Sequence, residues 1–239
     1  MPASRLVCRP EQELPVAVLR VTGDLDTATA PALRTALHTA LAAQPDAVVV
    51  DIAGLDVRHP TALDVFPAMT AEAADWPAVP LMLHSPGDRT ARQLADTGCR
   101  VHPTLEHALD EVRSTAAPVR LRARLRPTTG ACRQARELVA DACERWGLAE
   151  LRATAAVVVT ELVANVIRHA RTGMEITLAP RDGRLSIAVR DGSAREPEPA
   201  DPGLDEAGGR GLRLVRDLSD AWGVLPVVDG KVVWATIGS

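Results

Sequence analysis

Tyrosine is absent from the 239 residues, phenylalanine occurs once, and lysine occurs once, as Lys231. Without Tyr and with a single Phe, the chain lacks the aromatic platforms on which single-strand binders stack bases. The 27 basic residues are otherwise arginine, and against 31 acidic residues they leave a net charge of −4. No broad basic face for nucleic acid follows from that balance, so direct nucleic-acid binding is disfavoured. No stretch approaches the roughly 20 apolar residues of a membrane span, and the start, Met1-Pro2-Ala3-Ser4-Arg5, has no apolar core behind it. The expectation is a cytoplasmic protein with no membrane partner. The four cysteines, Cys8, Cys99, Cys132 and Cys143, show no paired metal spacing. If Cys132 and Cys143 share one helix they lie about 16 Å apart along it, too far to bridge. Buried free thiols are expected.

The length has room for two domains. In the first half, apolar strands at 17–21, 47–52 and 79–83 alternate with helical stretches at 29–43, 60–74, 88–97 and 104–113. This is the pattern of an α/β domain with a mostly parallel sheet. Ser114-Thr115-Ala116-Ala117-Pro118, small, polar and closed by Pro, is the expected linker between a domain at 5–113 and another at 119–239. Val119 to Arg126 then alternates apolar residues with Arg, the period of a half-buried strand. Its row of four Arg reads either as solvated charge or as an anion-binding edge, with solvated charge the commoner case. Helices are expected at 129–146 and 148–170. A hairpin at 174–190 turns on Arg181-Asp182-Gly183, and a polar loop at 194–208 has the composition of a mobile lid. A helix at 211–219 and two strands turned by Asp229-Gly230 end the chain. Lys231, after that turn, reads as solvated.

The candidate chemistry lies in four pieces. Glu161 and Asn165 stand four residues apart at the end of an apolar helix, which puts both polar heads on one face. Two readings are open for them: a buried polar pair tied to neighbouring backbone, or groups that meet a bound Mg-nucleotide. Downstream come Val189-Arg190-Asp191-Gly192-Ser193, at a strand end, and Gly208-Gly209-Arg210-Gly211, which opens a helix. In this order the stretch from about Val119 to Ser239 resembles the ATP-binding domain shared by anti-sigma-factor serine kinases, histidine kinases, gyrase and the Hsp90 chaperones. It looks most like the anti-sigma kinase branch.

The resemblance implies an ATP-binding α/β sandwich with helices on one face of a mixed sheet, and it implies roles. Asn165 matches the metal-holding Asn, a hard oxygen ligand for Mg²⁺. Glu161 matches the carboxylate that acts as general base toward the attacking hydroxyl or water. Asp191 matches the acceptor for the adenine amino group. Gly208, Gly209 and Gly211 let backbone N–H groups approach phosphate at a helix start, and Arg210 is placed to add a charge-assisted contact. One departure stands out. The family's first glycine box is Asp-x-Gly-x-Gly, and here Ser193 and Arg195 occupy its later glycine positions.

Gly23-Asp24-Leu25-Asp26-Thr27-Ala28-Thr29-Ala30-Pro31, followed by the buried strand 48–52 and the loop Ala53-Gly54-Leu55-Asp56, resembles the STAS domain of anti-sigma-factor antagonists. Members of that family accept phosphate on a Ser at a helix entry, where the new charge is stabilised. Here that position is Pro60, which has no hydroxyl, and Thr61 is left as the candidate phosphoacceptor. The half is therefore expected to be a degenerate antagonist that regulates more than it is modified.

Together the resemblances imply an ATP-dependent serine/threonine protein kinase of the partner-switching kind. Its partners would be a separate STAS-domain antagonist, a sigma factor, or both, and its output transcription regulation. The alternative is a non-catalytic, nucleotide-dependent binding module. A histidine kinase-like ATPase is a weaker alternative, since no upstream helical hairpin carries a phosphoacceptor His. A homodimer is left open.

Overall fold

The computed structural model describes residues 5–12, 14–85, 87–114, 118–194 and 210–238, and for Asp88 and Arg210 the backbone alone. It divides into two compact units, Met1–Ala117 and Pro118–Ser239, each built on its own sheet.

In the first unit the elements run β1 (Val7–Gln12), β2 (Val16–Leu25), α1 (Ala30–Ala42), β3 (Ala47–Val57), α2 (Val65–Asp75), β4 (Leu81–His84), α3 (Asp88–Ala95), β5 (Arg100–His102) and α4 (Leu105–Ser114). The sheet order is β1-β2-β3-β4-β5; β2 to β5 are parallel and β1 is antiparallel at the edge. The valines at 48, 49 and 50 are fully buried, as a central parallel strand covered on both faces requires. On α1, Leu33, Leu37 and Leu41 form the buried stripe that their four-residue spacing predicts. Asp26 and Thr29 close the turn into α1: the Ala28 and Thr29 amides donate to the Asp26 carboxylate, and the Thr29 hydroxyl donates to the Asp24 carbonyl. The helix expected from Pro60 begins as a 3-10 turn, Pro60–Asp64, before α2 proper.

A polar row crosses this otherwise apolar sheet. Arg20, Asp51, His84 and His102 stand opposite one another on β2, β3, β4 and β5. Asp51 is 5% exposed and accepts from Arg20 Nε at 3.0 Å and from the Ala53 amide at 3.0 Å. His84 Nδ1 lies 2.9 Å from its other side. Burial by itself raises the Asp51 carboxyl, but the Ala53 amide, the Arg20 guanidinium and the His84 ring outweigh burial and hold it below the usual carboxylate range.

The second unit runs β6 (Leu121–Leu125), α5 (Ala131–Arg145), α6 (Arg152–Asn165), β7 (Met174–Arg181), β8 (Arg184–Asp191), α7 (Arg210–Leu218), β9 (Ala221–Val227) and β10 (Gly230–Ile237). Its sheet order is β6-β7-β8-β10-β9. Helices lie on one face, as expected, but all four pairings are antiparallel where a mixed sheet was expected. The β7–β8 and β9–β10 connections are tight hairpins, and β6 and β7 are antiparallel neighbours joined through α5 and α6. Strands β8 and β9, joined through α7, run the same way but are separated by β10, so no adjacent pair is parallel. Ala131, Ala135, Val139 and Ala142 of α5, Val158, Val159, Leu162 and Val163 of α6, and Val215 of α7 meet Ile176, Leu178, Ile187, Val189, Val233 and Ala235 of the sheet. Helix α6 is apolar almost all round because it touches α5, α7, β8 and β10 at once. The Arg of β6 alternate onto the opposite side of the strand, where Arg124 Nε pairs with Glu175 of β7 at 2.9 Å.

The described cysteines are all free, with Cys132 and Cys143 both on α5. Burial pushes the Cys143 thiol up, away from reactive thiolate. No described helix is long and apolar enough to cross a membrane.

The lowered Asp51 carboxyl fixes a sign. Its contribution to stability is present above the unfolded-state value and is lost as pH falls through the folded-state value. Asp51→Asn is expected to lower the thermal midpoint at neutral pH. The gap to wild type should start to close near pH ~4, the ordinary carboxylate value, and go on closing below it. A gap that stays constant across that range in a calorimetric pH series contradicts the ion-pair account.

Candidate functional site

Glu161 and Asn165 occupy the last turns of α6, both half-buried. Directly after Asn165 the helix widens into one π turn, Val166–Ala170, closed by the Arg171 amide donating to the Val166 carbonyl at 2.7 Å with Arg171 in the left-handed region. Such widenings recur at functional sites, since they re-aim the side chains around them. Arg168 on that turn brings Nη2 to 3.7 Å from Glu161 Oε2. The start of α7 packs against the same carboxylate: a Cβ at Gly211 would lie 2.6 Å from Glu161 Oε2. The structure thus brings together Glu161 and the glycine that opens α7. Gly208 and Gly209, the Arg210 side chain and the expected lid fall outside the described residues, apart from Ala194.

Asp191 ends β8 and faces the helical layer, with Met174 on one side of the ladder and Lys231 on the other. It is 3% exposed, and so is Lys231. The expectation of a solvated Lys231 is therefore wrong. The Lys231 ammonium sits 3.0 Å from both Asp191 oxygens, donating to Oδ1, and also donates to the Ser193 carbonyl at 3.1 Å. Asp191 Oδ1 accepts the Ser193 amide as well, at 2.8 Å. Asp191 Oδ2 is buried and receives no directed hydrogen bond. Gly230 has φ +154°, and a Cβ there would lie 1.9 Å from the Asp191 carbonyl oxygen. Glycine is what lets β10 come this close to the end of β8.

Thr172, which the sequence did not single out, completes the anchoring: its Oγ1 accepts the Gly192 amide at 3.0 Å. Ser193, at a glycine position of the expected box, does not take a positive φ, so its Cβ brings no backbone strain here. Helix α6 packs on β8, β10 and α7, so the Glu161–Gly211 contact and the Asp191–Lys231 pair belong to one helix–sheet interface.

A cavity of about 410 Å³ at the ends of β6 to β8 is lined by Arg124, Glu175, Arg190, Asp229 and part of Asp191 and Gly192. It shares Asp191 and Gly192 with the candidate site, is also lined by Leu125, Gly173 and Met174, and does not reach Glu161 or Asn165.

A family model described as a histidine kinase-like ATPase domain matches residues 125–237, and a Mlab-type STAS domain model matches residues 8–101. The chain joins a STAS domain to a histidine kinase-like ATPase domain. Among solved structures, an anti-sigma factor antagonist from Mycobacterium paratuberculosis is 28% identical, with 48% of this chain and 98% of that one covered and a TM-score of 0.41. The RsbU and RsbW domains of a Mycobacterium tuberculosis protein are 20% identical over 72% of this chain and 47% of that one, with a TM-score of 0.39. A histidine kinase domain from Erythrobacter litoralis is 17% identical over 88% and 94%, with a TM-score of 0.30. No curated protein matches the chain.

In the STAS domain, Pro60 opens the 3-10 turn and Thr61 follows it, exposed, with its hydroxyl 2.8 Å from His59 Nδ1.

The two glycines of the ATPase domain that make close approaches should respond differently to the same change. At Gly230 a methyl meets backbone, so Gly230→Ala is expected to destabilise by more than ~2 kcal/mol. At Gly211 it meets the end of a flexible side chain, so Gly211→Ala should remain within ~1 kcal/mol. Denaturant midpoints decide this, and equal losses would contradict the packing described.

Proposed function

We propose that the ATPase domain binds Mg-ATP and acts as a serine/threonine kinase on a separate STAS-domain antagonist, in a partner switch that controls a sigma factor. The observation that carries this reading is the Asp191 carboxylate, buried at the end of β8 and held by the Lys231 ammonium 3.0 Å from both oxygens, with Oδ2 receiving no donor besides that ammonium. A carboxylate oxygen accepts more than one donor, and the exocyclic amino group of adenine is a donor of the right kind. Bound Mg-ATP supplies the transferable phosphoryl group. The residues do the rest. Asn165 offers a hard oxygen to magnesium, and among the described residues no cluster of His, Cys, Asp or Glu could hold a metal by itself, which suits a cation held mainly by phosphate oxygens. The start of α7 at Arg210 and Gly211 offers backbone N–H groups and a positive helix end to the phosphates, and the family resemblance adds Gly208, Gly209 and the Arg210 side chain to that contact. Glu161, half-buried beside Gly211, receives the proton of the acceptor hydroxyl.

The acceptor belongs to another protein on this reading, because Pro60 has no hydroxyl and the Thr61 hydroxyl is engaged with His59. A second reading, a binding module whose partner choice depends on nucleotide without transfer, is favoured by the contact of Arg168 with Glu161, since a carboxylate held by a cation is a weaker base.

Incubation with γ-labelled ATP, Mg²⁺ and STAS proteins of the same genome separates the two. The kinase reading expects label on an outside STAS protein and none on Thr61 by mass spectrometry. Glu161→Gln should bind nucleotide like wild type and transfer about a hundredfold more slowly, or less still. Asn165→Ala should weaken binding only when Mg²⁺ is present. Equal transfer rates for wild type and Glu161→Gln would make Glu161 structural.

A further inference from the structure

The single lysine of the chain is also its most thoroughly enclosed cation among the described residues. Every other basic side chain of Lys or Arg type is arginine, yet the residue beneath the Asp191 carboxylate is a lysine that is 3% exposed. A planar guanidinium fork suits a side-on carboxylate pair, whereas a compact ammonium can direct separate N–H donors to acceptors that are not coplanar. Lys231 uses that freedom, lying 3.0 Å from both oxygens of Asp191 and donating to the main-chain carbonyl of Ser193 as well. Stability alone is a poor reason for such a pair, since well-packed apolar residues often serve as well in its place.

We propose that Lys231 is the positioning residue that sets the purine specificity of the nucleotide site. The inference rests on the nucleotide reading above and deepens it. Lys231 lies 3.0 Å from both carboxylate oxygens and the Ser193 amide donates to Oδ1, which fixes the carboxylate plane and leaves Oδ2 with the ammonium alone and room for a second donor. An ionic carboxylate so held can only accept. It therefore reads an exocyclic amino group at position 6 of a purine and opposes a 6-oxo group, whose oxygen is itself an acceptor. The grip on the Ser193 carbonyl holds the residue that follows Gly192 in place, while Thr172 holds the Gly192 amide. The root of the segment that leads out of β8 is thereby fixed without the glycine freedom of the usual box. Without the ammonium, a carboxylate this buried is uncompensated. It turns away from its buried position toward water, which ends its service as a fixed acceptor.

The test is the ratio of dissociation constants for inosine triphosphate and ATP, with Mg²⁺, in the full chain. Wild type is expected to favour ATP at least about tenfold, the factor that one lost hydrogen bond and one acceptor–acceptor contact provide. Lys231→Met should bring the ratio to within about threefold of one, and the ADP to inosine diphosphate ratio should fall equally, because the effect is at the base. Asn165→Ala, which acts at the phosphates, should leave the ratio unchanged. A wild-type ratio retained in folded Lys231→Met overturns the inference.

A measurement on the wild-type protein covers the case in which that variant does not fold. With one lysine in the chain, ¹⁵N-lysine labelling gives one side-chain ammonium signal. It should shift on saturation with ATP and stay in place with inorganic tripolyphosphate, which has no base. A signal unmoved by saturating ATP overturns the role of Lys231 while leaving nucleotide binding intact. Absence of any ATP binding by wild type removes the nucleotide reading and this inference together.

Discussion

The buried ion pair between Asp191 and Lys231 is the constraint around which the ATPase domain is arranged. It lies where the ends of β8 and β10 meet the helical layer, and each neighbouring feature serves it. Gly230 allows the backbone approach, the antiparallel register puts the two side chains opposite one another, and Thr172 and Ser193 tie down the segment that follows. An unpaired charge at this depth would be strongly unfavourable, so the pair and the close approach of the strands stand or fall together. The result is a rigid acceptor at one end of the helix–sheet interface and, through α6 and α7, a half-buried carboxylate set against a helix start at the other.

The STAS domain uses burial of charge differently. Its row of Arg20, Asp51, His84 and His102 is spread over four parallel strands, and Asp51 is satisfied on both oxygens by main chain and side chains. The charge of Asp51 is thus met inside the sheet. The difference between the domains is chemical: Asp51 takes directed donors on both oxygens from three groups, whereas Asp191 Oδ2 meets the Lys231 ammonium alone.

Most of both domains was legible because the periodic signals were long. The valine run at 48–50, the leucine stripe of α1 and the hairpin at Asp182-Gly183 each state their structure locally. What was missed had short or non-local signals. Strand β1 exposes nearly every side chain and carries Pro10, so it has no alternation to read; β5 is three residues long. The widened turn after Asn165 leaves no mark in hydrophobic period, because a helix apolar on several sides has no clear stripe to shift. Lys231 was misread for a reason of distance. Asp229-Gly230 does make the turn that the sequence suggests, but the burial of the next residue is decided by Asp191, 40 positions upstream, which only the ladder brings near. Of the candidate site residues, Glu161 and Gly211 are brought close together by the fold, while Gly208 and Gly209 lie outside the described residues.

The account turns on whether this interface is a nucleotide site at all. Isothermal titration of ATP into the full-length protein, with and without Mg²⁺, asks that most directly. The account predicts saturable heat at one site per chain, stronger with Mg²⁺. No heat at high protein concentration, under conditions where the protein is folded, would contradict it.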